Sequence, residues 1–443
     1  MVLQFGPGGP TAAPDLGDPM LRKAPARGSL QGQALGCLAV FFLVVAVGLG
    51  GLNYALQQPG VAEAAVRKLV DVGGISRDVF KHVEFLDDTA WYDIITKGNL
   101  GVAEAYMHGK LKVDPLPFFL TLLNGTSLGT RRSESTDWLG YVMGMTALPT
   151  TLAGYVMNMQ TKERSTRVTK EHYDAGNDLY EKMLGPYMSY SCGYWKGARN
   201  LDEAQENKFN LIFRKLQLKP GMKVADIGMG WGTTAEYMHK HGSVDVTGVS
   251  LSEQQVKWAS EHLTKPGLRF IWQDYRDFCE DPKQIGTYDR IYSIGFLEHV
   301  GYRNLAPFFK CIKKLLKPDG LAMVHTIGEP DFLAAGDPFL DKYIFPGVVI
   351  PALSSLVPAF EKDFILEDYQ NFGYDYAKTL AAWHDNAQVF FKENPKAYTP
   401  EFQRMWDYYL RMCEALFELR INQLYHFVLS PRPAIRQGIE RQL

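Results

Sequence analysis

The chain has 443 residues, enough for two or three domains, of which 46% are hydrophobic and 22% charged, with a formal net charge of -2. That near-neutral balance excludes a nucleic-acid binder of the usual basic kind. Five cysteines, far apart and without a C-x-x-C pair, predict a reduced compartment with neither a disulfide framework nor a structural zinc.

Residues 1–33 are rich in Gly, Pro and Ala and are expected to form a disordered tail. Residues 34–57 hold the uncharged run LGCLAVFFLVVAVGLGGLNYAL. A bilayer core needs about 20 apolar residues in a helix, so this run predicts a single-pass transmembrane helix. Arg22, Lys23 and Arg27 before it and Arg67 and Lys68 after it leave its orientation undecided. The large domain that follows is expected to face the cytosol or an organelle interior.

Residues 61–123 alternate short helical patterns with glycine breaks and predict a small N-terminal domain, α-rich or α+β. Residues 124–160 form a linker that opens on NGTSLGTRRSESTD. Its second uncharged stretch, Trp138–Gln160, carries Gly, Pro and paired Thr and reads as an interfacial or buried helix rather than a span.

From 161 to 443 one domain is expected. MKVADIG, VDVTGVS, LRFIWQD, YDRIYSI and LAMVHTIG read as strands, separated by helical segments such as TTAEYMHKHG and SEQQVKWASEHL. Ser252 is placed to cap the second of these helices. The alternation predicts an α/β fold with an open, mainly parallel, Rossmann-like sheet, and ligands at the carboxyl ends of its strands. Thr379–Leu424 reads as helical and aromatic.

Gly228, Gly230 and Gly232 follow the first strand in a G-x-G-x-G turn, and Asp226 sits at that strand's end. Glycines allow a tight bend and close approach of a ligand. An acid beside the turn, with Ser250, Ser252 and Gln255 after the next strand, suits S-adenosylmethionine, which has a cationic sulfonium and no phosphate. Taken alone the turn also fits a dinucleotide or a purely structural role. Glu298 beside His299, His325, Tyr374 and Tyr376 fall at strand ends or in loops, where an acid, an imidazole and a phenol could act on a proton. Any one of them could equally be a satisfied core residue.

Together, GNLGVAEAYMHGK, EHYDAGNDLY, YSCGYW, KLQLKPGMKVADIG, WGTT, QDYRDF, EHVG, HTIG, KYIFPG, NFGYDY and RMCEALF resemble the cyclopropane-fatty-acyl-phospholipid synthases, which share their fold with the mycolic acid cyclopropane synthases. The likeness spans roughly residues 80–424. It implies transfer of a methylene group from S-adenosylmethionine to the cis double bond of unsaturated acyl chains in membrane phospholipids, through a carbocation deprotonated by bound bicarbonate. A methyl-branching enzyme on fatty acyl or sphingoid chains is the alternative. A small-amine N-methyltransferase or a catalytically dead lipid sensor fits less of the sequence.

By motif, the resemblance puts Tyr190 and Ser191 by the methionine part of the donor and Asp226 with the three glycines at the turn. It puts Ser250, Ser252 and Gln255 by the ribose, and Tyr275 and Arg276 near the adenine. The bicarbonate site maps to Cys192, Glu298, His325, Ile327 and Tyr376, and Cys413 matches a cysteine marked as active in the family. Partners implied are the membrane phospholipids, with a homodimer left open. Met229 stands where the family's turn carries Cys.

Overall fold

The computed structural model describes residues 51–124, 177–329 and 336–433. Contacts divide the chain into Met1–Gln58 and Pro59–Leu443. Of the first unit only 51–58 are described; residues 51–56 are helical and expose Leu52 and Tyr54.

The expected transmembrane helix is corrected here. Among the described residues no helix is long and apolar enough to cross a membrane. Residues 34–50 lie outside the described residues, and of the run only its last residues, helical over 51–56, are described. The single-pass assignment is therefore withdrawn. Trp138–Gln160 also lies outside the described residues.

Within Pro59–Leu443, helices Val61–Val72, Thr89–Lys97, Asn99–Met107 and Pro115–Asn124 surround a short antiparallel ribbon of β1 (Val83–Phe85) and β2 (Leu111–Val113). This segment lies on helix Pro400–Glu418. The Tyr408 hydroxyl donates to Asn99 Oδ1 at 2.6 Å, Arg404 Nε donates to the Met107 carbonyl at 2.8 Å, and the Phe119 and Tyr408 rings meet edge-on at 4.9 Å.

The remaining strands are β3 (Lys223–Ile227), β4 (Asp245–Ser250), β5 (Leu268–Trp272), β6 (Tyr288–Ile294), β7 (Leu316–Gly328), β8 (Phe364–Asn371) and β9 (Gln423–Pro431). They form one sheet in the order β5-β4-β3-β6-β7-β9-β8. The first five are parallel, and helices cover both faces, so KVADI and YDRIYSI are nearly continuous buried runs. β9 then runs antiparallel between β7 and β8. The segment read as helical from Thr379 thus ends in two helices, Tyr374–Glu393 and Pro400–Glu418, and its last residues, Gln423 and Leu424, open a central strand.

Cys279, in helix Tyr275–Glu280, and Cys311, in helix Leu305–Leu315, are brought together, with their Cα atoms 5.5 Å apart. Thirty-two residues separate them in sequence, but the two helices pack side by side on one face of the sheet.

Candidate active site

The turn after β3 opens helix Thr233–Gly242, with Gly228, Gly230 and Gly232 all at positive φ (86°, 56° and 79°). They are not equivalent. A Cβ on Gly228 would meet the Phe296 ring at 2.6 Å, and one on Gly232 the Phe270 ring at 2.8 Å, whereas one on Gly230 would meet nothing within 4 Å. Two glycines let the turn press on aromatic rings; the third offers bare backbone to open space. Met229 is buried against Gly248 of β4, Ala259 and Leu263, so it serves the packing of the turn.

Asp226 is buried inside β3, and burial pushes its carboxyl up to about 8, with the Tyr292 hydroxyl pulling the other way. Near neutrality it holds its proton, and a cation placed beside it would favour the ionised form. At the end of β4, Ser250 Oγ donates to Gln255 Oε1 (3.1 Å) and accepts from the Ser252 amide (3.1 Å). Ser252 caps helix Glu253–His262, as its sequence predicted, by accepting from the Gln255 amide at 3.3 Å. After β5, Asp274 grips the Arg276 guanidinium at 2.8 and 2.6 Å, and Tyr275 is buried edge-on to Phe296. Ser250, Ser252 and Gln255 thus give a neutral polar rim at the end of β4, the strand next to β3.

The second set converges past the ends of β6 and β7. Glu298 follows β6 in a short 3-10 turn and is buried. One oxygen, Oε1, accepts from the Ile327 amide at 2.6 Å, while Oε2 is buried with no hydrogen-bond partner. Burial pushes the carboxyl up to about 7, against the backbone hydrogen bonds that lower it. The Ile327 amide expected to hold an anion is thus committed to Glu298, and Oε2 is the atom left to meet a ligand.

Tyr376 begins helix Tyr374–Glu393, and burial raises its phenol well above the ordinary value, reinforced by Cys192, Glu298 and Cys413 around it. Cys192 is fully buried, its thiol donating to the Gly193 carbonyl at 3.1 Å; burial raises it well above the usual thiol range. Burial raises the Cys413 thiol as well, away from the thiolate that a nucleophile requires. His299, next to Glu298, turns its ring to Phe345, and burial lowers it to about 4. Tyr374 is 47% exposed and stands apart from this cluster.

Tyr190 and Ser191 directly precede Cys192. The Tyr190 and Tyr409 hydroxyls are 2.7 Å apart, and the Tyr190 ring packs at 5.1 Å from Trp383 and 6.4 Å from Phe345. Ser191 Oγ accepts from Lys208 Nζ at 2.9 Å. Lys208 itself is fully buried, and burial pushes its ammonium down to about 7. Thr379 locks the Tyr190 loop to helix Tyr374–Glu393, accepting from the Gly193 amide at 3.1 Å and from Trp195 Nε1 at 2.9 Å.

Lys208, Thr379, Trp383, Tyr409, Asp274, Phe296 and His426 were not singled out from the sequence. For Lys208 a signal existed. Leu201, Ala204, Gln205, Lys208, Phe209, Leu211 and Ile212 form the buried stripe of helix Leu201–Lys215, and a lysine on such a stripe marks a polar requirement. His426 had none, because its strand was not read as one.

Comparison with known proteins agrees with this fold. The family described as mycolic acid cyclopropane synthetase matches residues 160–427. The chain is 39% identical over 350 residues to the cyclopropane-fatty-acyl-phospholipid synthase of Escherichia coli K12, covering 79% of this chain and 86% of that protein. Among solved structures, the cyclopropane synthase MmaA2 from Mycobacterium tuberculosis superposes with a TM-score of 0.56 at 30% identity, over 60% of this chain and 98% of that one. The mycolic acid cyclopropane synthase CmaA1, complexed with SAH and CTAB, gives 0.54 at 28% identity, over 60% and 97%. A seven-stranded sheet with its glycine turn, and a family match over more than half the chain, lead to one conclusion: the chain belongs to the mycolic acid cyclopropane synthetase family of S-adenosylmethionine-dependent lipid methyltransferases.

Proposed function

We propose that the chain converts the cis double bond of unsaturated acyl chains in membrane phospholipids into a cyclopropane ring. The observation that carries the reading is the Glu298 carboxylate, buried, with one oxygen on the Ile327 amide and the other without a partner, beside Tyr376 and Cys192. A buried acid with one unpartnered oxygen is suited to hold a further polar group, the proton acceptor that ring closure requires.

S-adenosylmethionine supplies an electrophilic methyl on its sulfonium; the Gly230 backbone and the Ser250, Ser252 and Gln255 rim are the groups offered to it. The alkene carbon takes the methyl, its neighbour is left positive, and loss of a proton from the new methyl closes the ring. The Tyr190, Trp383, Tyr409 and Phe345 rings are the faces able to support that positive charge and keep water away. Bicarbonate, held by Glu298, His325 and Tyr376 with Cys192 beside them, would supply the proton acceptor. Glu298 Oε2 suits it as an acceptor for the anion's own hydroxyl. Cys413, half-buried and with its thiol raised above the ordinary range, contributes packing rather than a covalent step.

The test is turnover on vesicles of unsaturated phospholipid with S-adenosylmethionine, with lipid products weighed by mass spectrometry. A ring and a saturated methyl branch of equal carbon count differ by two hydrogens, so the mass decides between them. Activity is expected to fall when bicarbonate is stripped and to return when it is restored. Glu298→Gln is expected to lose roughly 10- to 150-fold in turnover, the equivalent of one charged hydrogen bond of ~1.5–3 kcal/mol, at near-normal donor affinity. A methyl-branched product rejects the ring-forming reading; full activity without bicarbonate rejects the anion.

A further inference from the structure

We propose that His426 is a positioning residue that fixes the tautomer of His325, so that His325 presents an N–H, rather than a lone pair, to the anion site. The inference rests on the reading of His325 as an anion ligand and concerns what makes it able to be one.

The two histidines are brought together by register. β7 and β9 run antiparallel with His325 directly opposite His426, so both side chains stand on the same face. His325 Nδ1 and His426 Nε2 are 2.8 Å apart, a hydrogen bond that requires one donor and one acceptor. The rings are 1% and 0% exposed, and the edge of Phe372 closes on both, at 6.1 and 4.7 Å. Burial, together with the nearby ammonium groups of Lys208 and Lys215, holds both imidazoles well below the ordinary histidine range. A neutral pair therefore shares one proton along this contact.

The proton can sit on either ring. If His325 donates from Nδ1, then His426 carries its hydrogen on Nδ1, where the atom is buried with no hydrogen-bond partner. If His426 donates from Nε2, its Nδ1 is a bare lone pair instead. A buried orphan N–H is rarer and costlier than a buried orphan acceptor. The second arrangement wins. It obliges His325 to accept at Nδ1 and to carry its own hydrogen on Nε2, the nitrogen an anion needs.

Substitutions separate the roles of the two ring nitrogens of His426. A glutamine amide nitrogen falls near the position of Nε2 and can still donate to His325; an asparagine amide nitrogen falls near Nδ1 and cannot; phenylalanine keeps the bulk without any donor. In protein carrying 15N-labelled histidine, the wild-type His325 signals, assigned by their loss in His325→Gln, are expected to show a protonated Nε2 and an unprotonated Nδ1. His426→Gln should preserve that pattern and keep turnover within about threefold. His426→Asn and His426→Phe should mix the tautomers and lower kcat about tenfold or more, by the transition-state relation, with the KM for S-adenosylmethionine within about twofold. A wild-type His325 protonated on Nδ1, or His426→Phe with an unchanged tautomer and wild-type kcat, overturns the inference. Bicarbonate-independent turnover with the expected tautomer pattern would reject the anion reading and leave the role of His426 standing.

Discussion

Glu298 is held at odds with its own stability. In solution its carboxyl ionises near 4.5, but in the fold it does so near 7, because burial disfavours the charge. For an acid raised in this way the sign is the reverse of the usual carboxylate. The unfolded chain releases the proton first, so folding stability falls as pH rises from about 4.5 to 7 and the cost stays in full above that. The interval from 4.5 to about 7 corresponds to about 3 kcal/mol. Glu298→Gln removes the charge and is therefore expected to be more stable than wild type at pH 8 in urea titration, with the gain shrinking as pH approaches 4.5. The same variant loses turnover. Equal stability at pH 8 would mean that Glu298 ionises in the fold at its ordinary pH.

Among the elements, the turn after β3 allows the sharpest separation of fold from ligand. Gly228 touches the Phe296 ring so closely that Gly228→Ala forces a shift of either the turn or the ring, on top of a φ of 86°. Overpacking of this kind costs ~1–3 kcal/mol, so the variant is expected to melt earlier. Gly230→Val meets open space in the fold and bears only the left-handed backbone cost of ~1–2 kcal/mol, but its branched side chain stands where a ligand would approach. Calorimetry should show S-adenosylmethionine binding abolished in Gly230→Val, with NAD failing to bind either it or the wild type. Wild-type donor affinity in Gly230→Val would place the ligand away from this turn.

Across the whole unit from Pro59 to Leu443, the small N-terminal segment and the helices after β8 share one apolar core that includes Phe119, Tyr180, Trp383, Trp406 and Tyr408. Helix Pro400–Glu418 faces the segment with Tyr408 and carries Tyr409 and Cys413 near the site. A hydrogen bond at 2.6 Å joins Tyr408 to Asn99. A double-mutant cycle of Asn99→Ala and Tyr408→Phe is expected to give a coupling of about 1 kcal/mol in unfolding free energy, the size of one buried neutral hydrogen bond. Additive effects would mean that the segment and the helix fold without leaning on each other. Glu104 adds a second tie, binding Lys97 at 2.9 Å within the segment and Lys342 at 2.6 Å beyond it.

Much of this was legible in order along the chain. Strand and helix follow from alternating apolar runs, and the Ser252 cap and the glycine turn from residue types whose local chemistry is short-range. The strand-end placement of Glu298, His325 and Ile327 follows from the same alternation, since such strands end on one side of a parallel sheet. Long-range pairing was not legible. Only Gln423 and Leu424 of β9 fall within the segment read as helical, and the rest of QLYHFVLSP is too short a stretch, interrupted by His426 and Ser430, for its period to tell strand from helix. Only its insertion between β7 and β8 makes it a strand, and only that register sets His426 against His325. The proximity of Cys279 and Cys311 was likewise decided by two helices packing on the sheet. The apolar run before Gln57 marks the opposite limit: composition alone predicted a span, whereas among the described residues no helix is long and apolar enough to cross a membrane. Local residue chemistry determined the elements and most of the candidate donors and acceptors. Tertiary pairing decided which of those groups are buried, which are already satisfied and which are left to meet a ligand, because desolvation and hydrogen-bond partners exist only once distant segments touch.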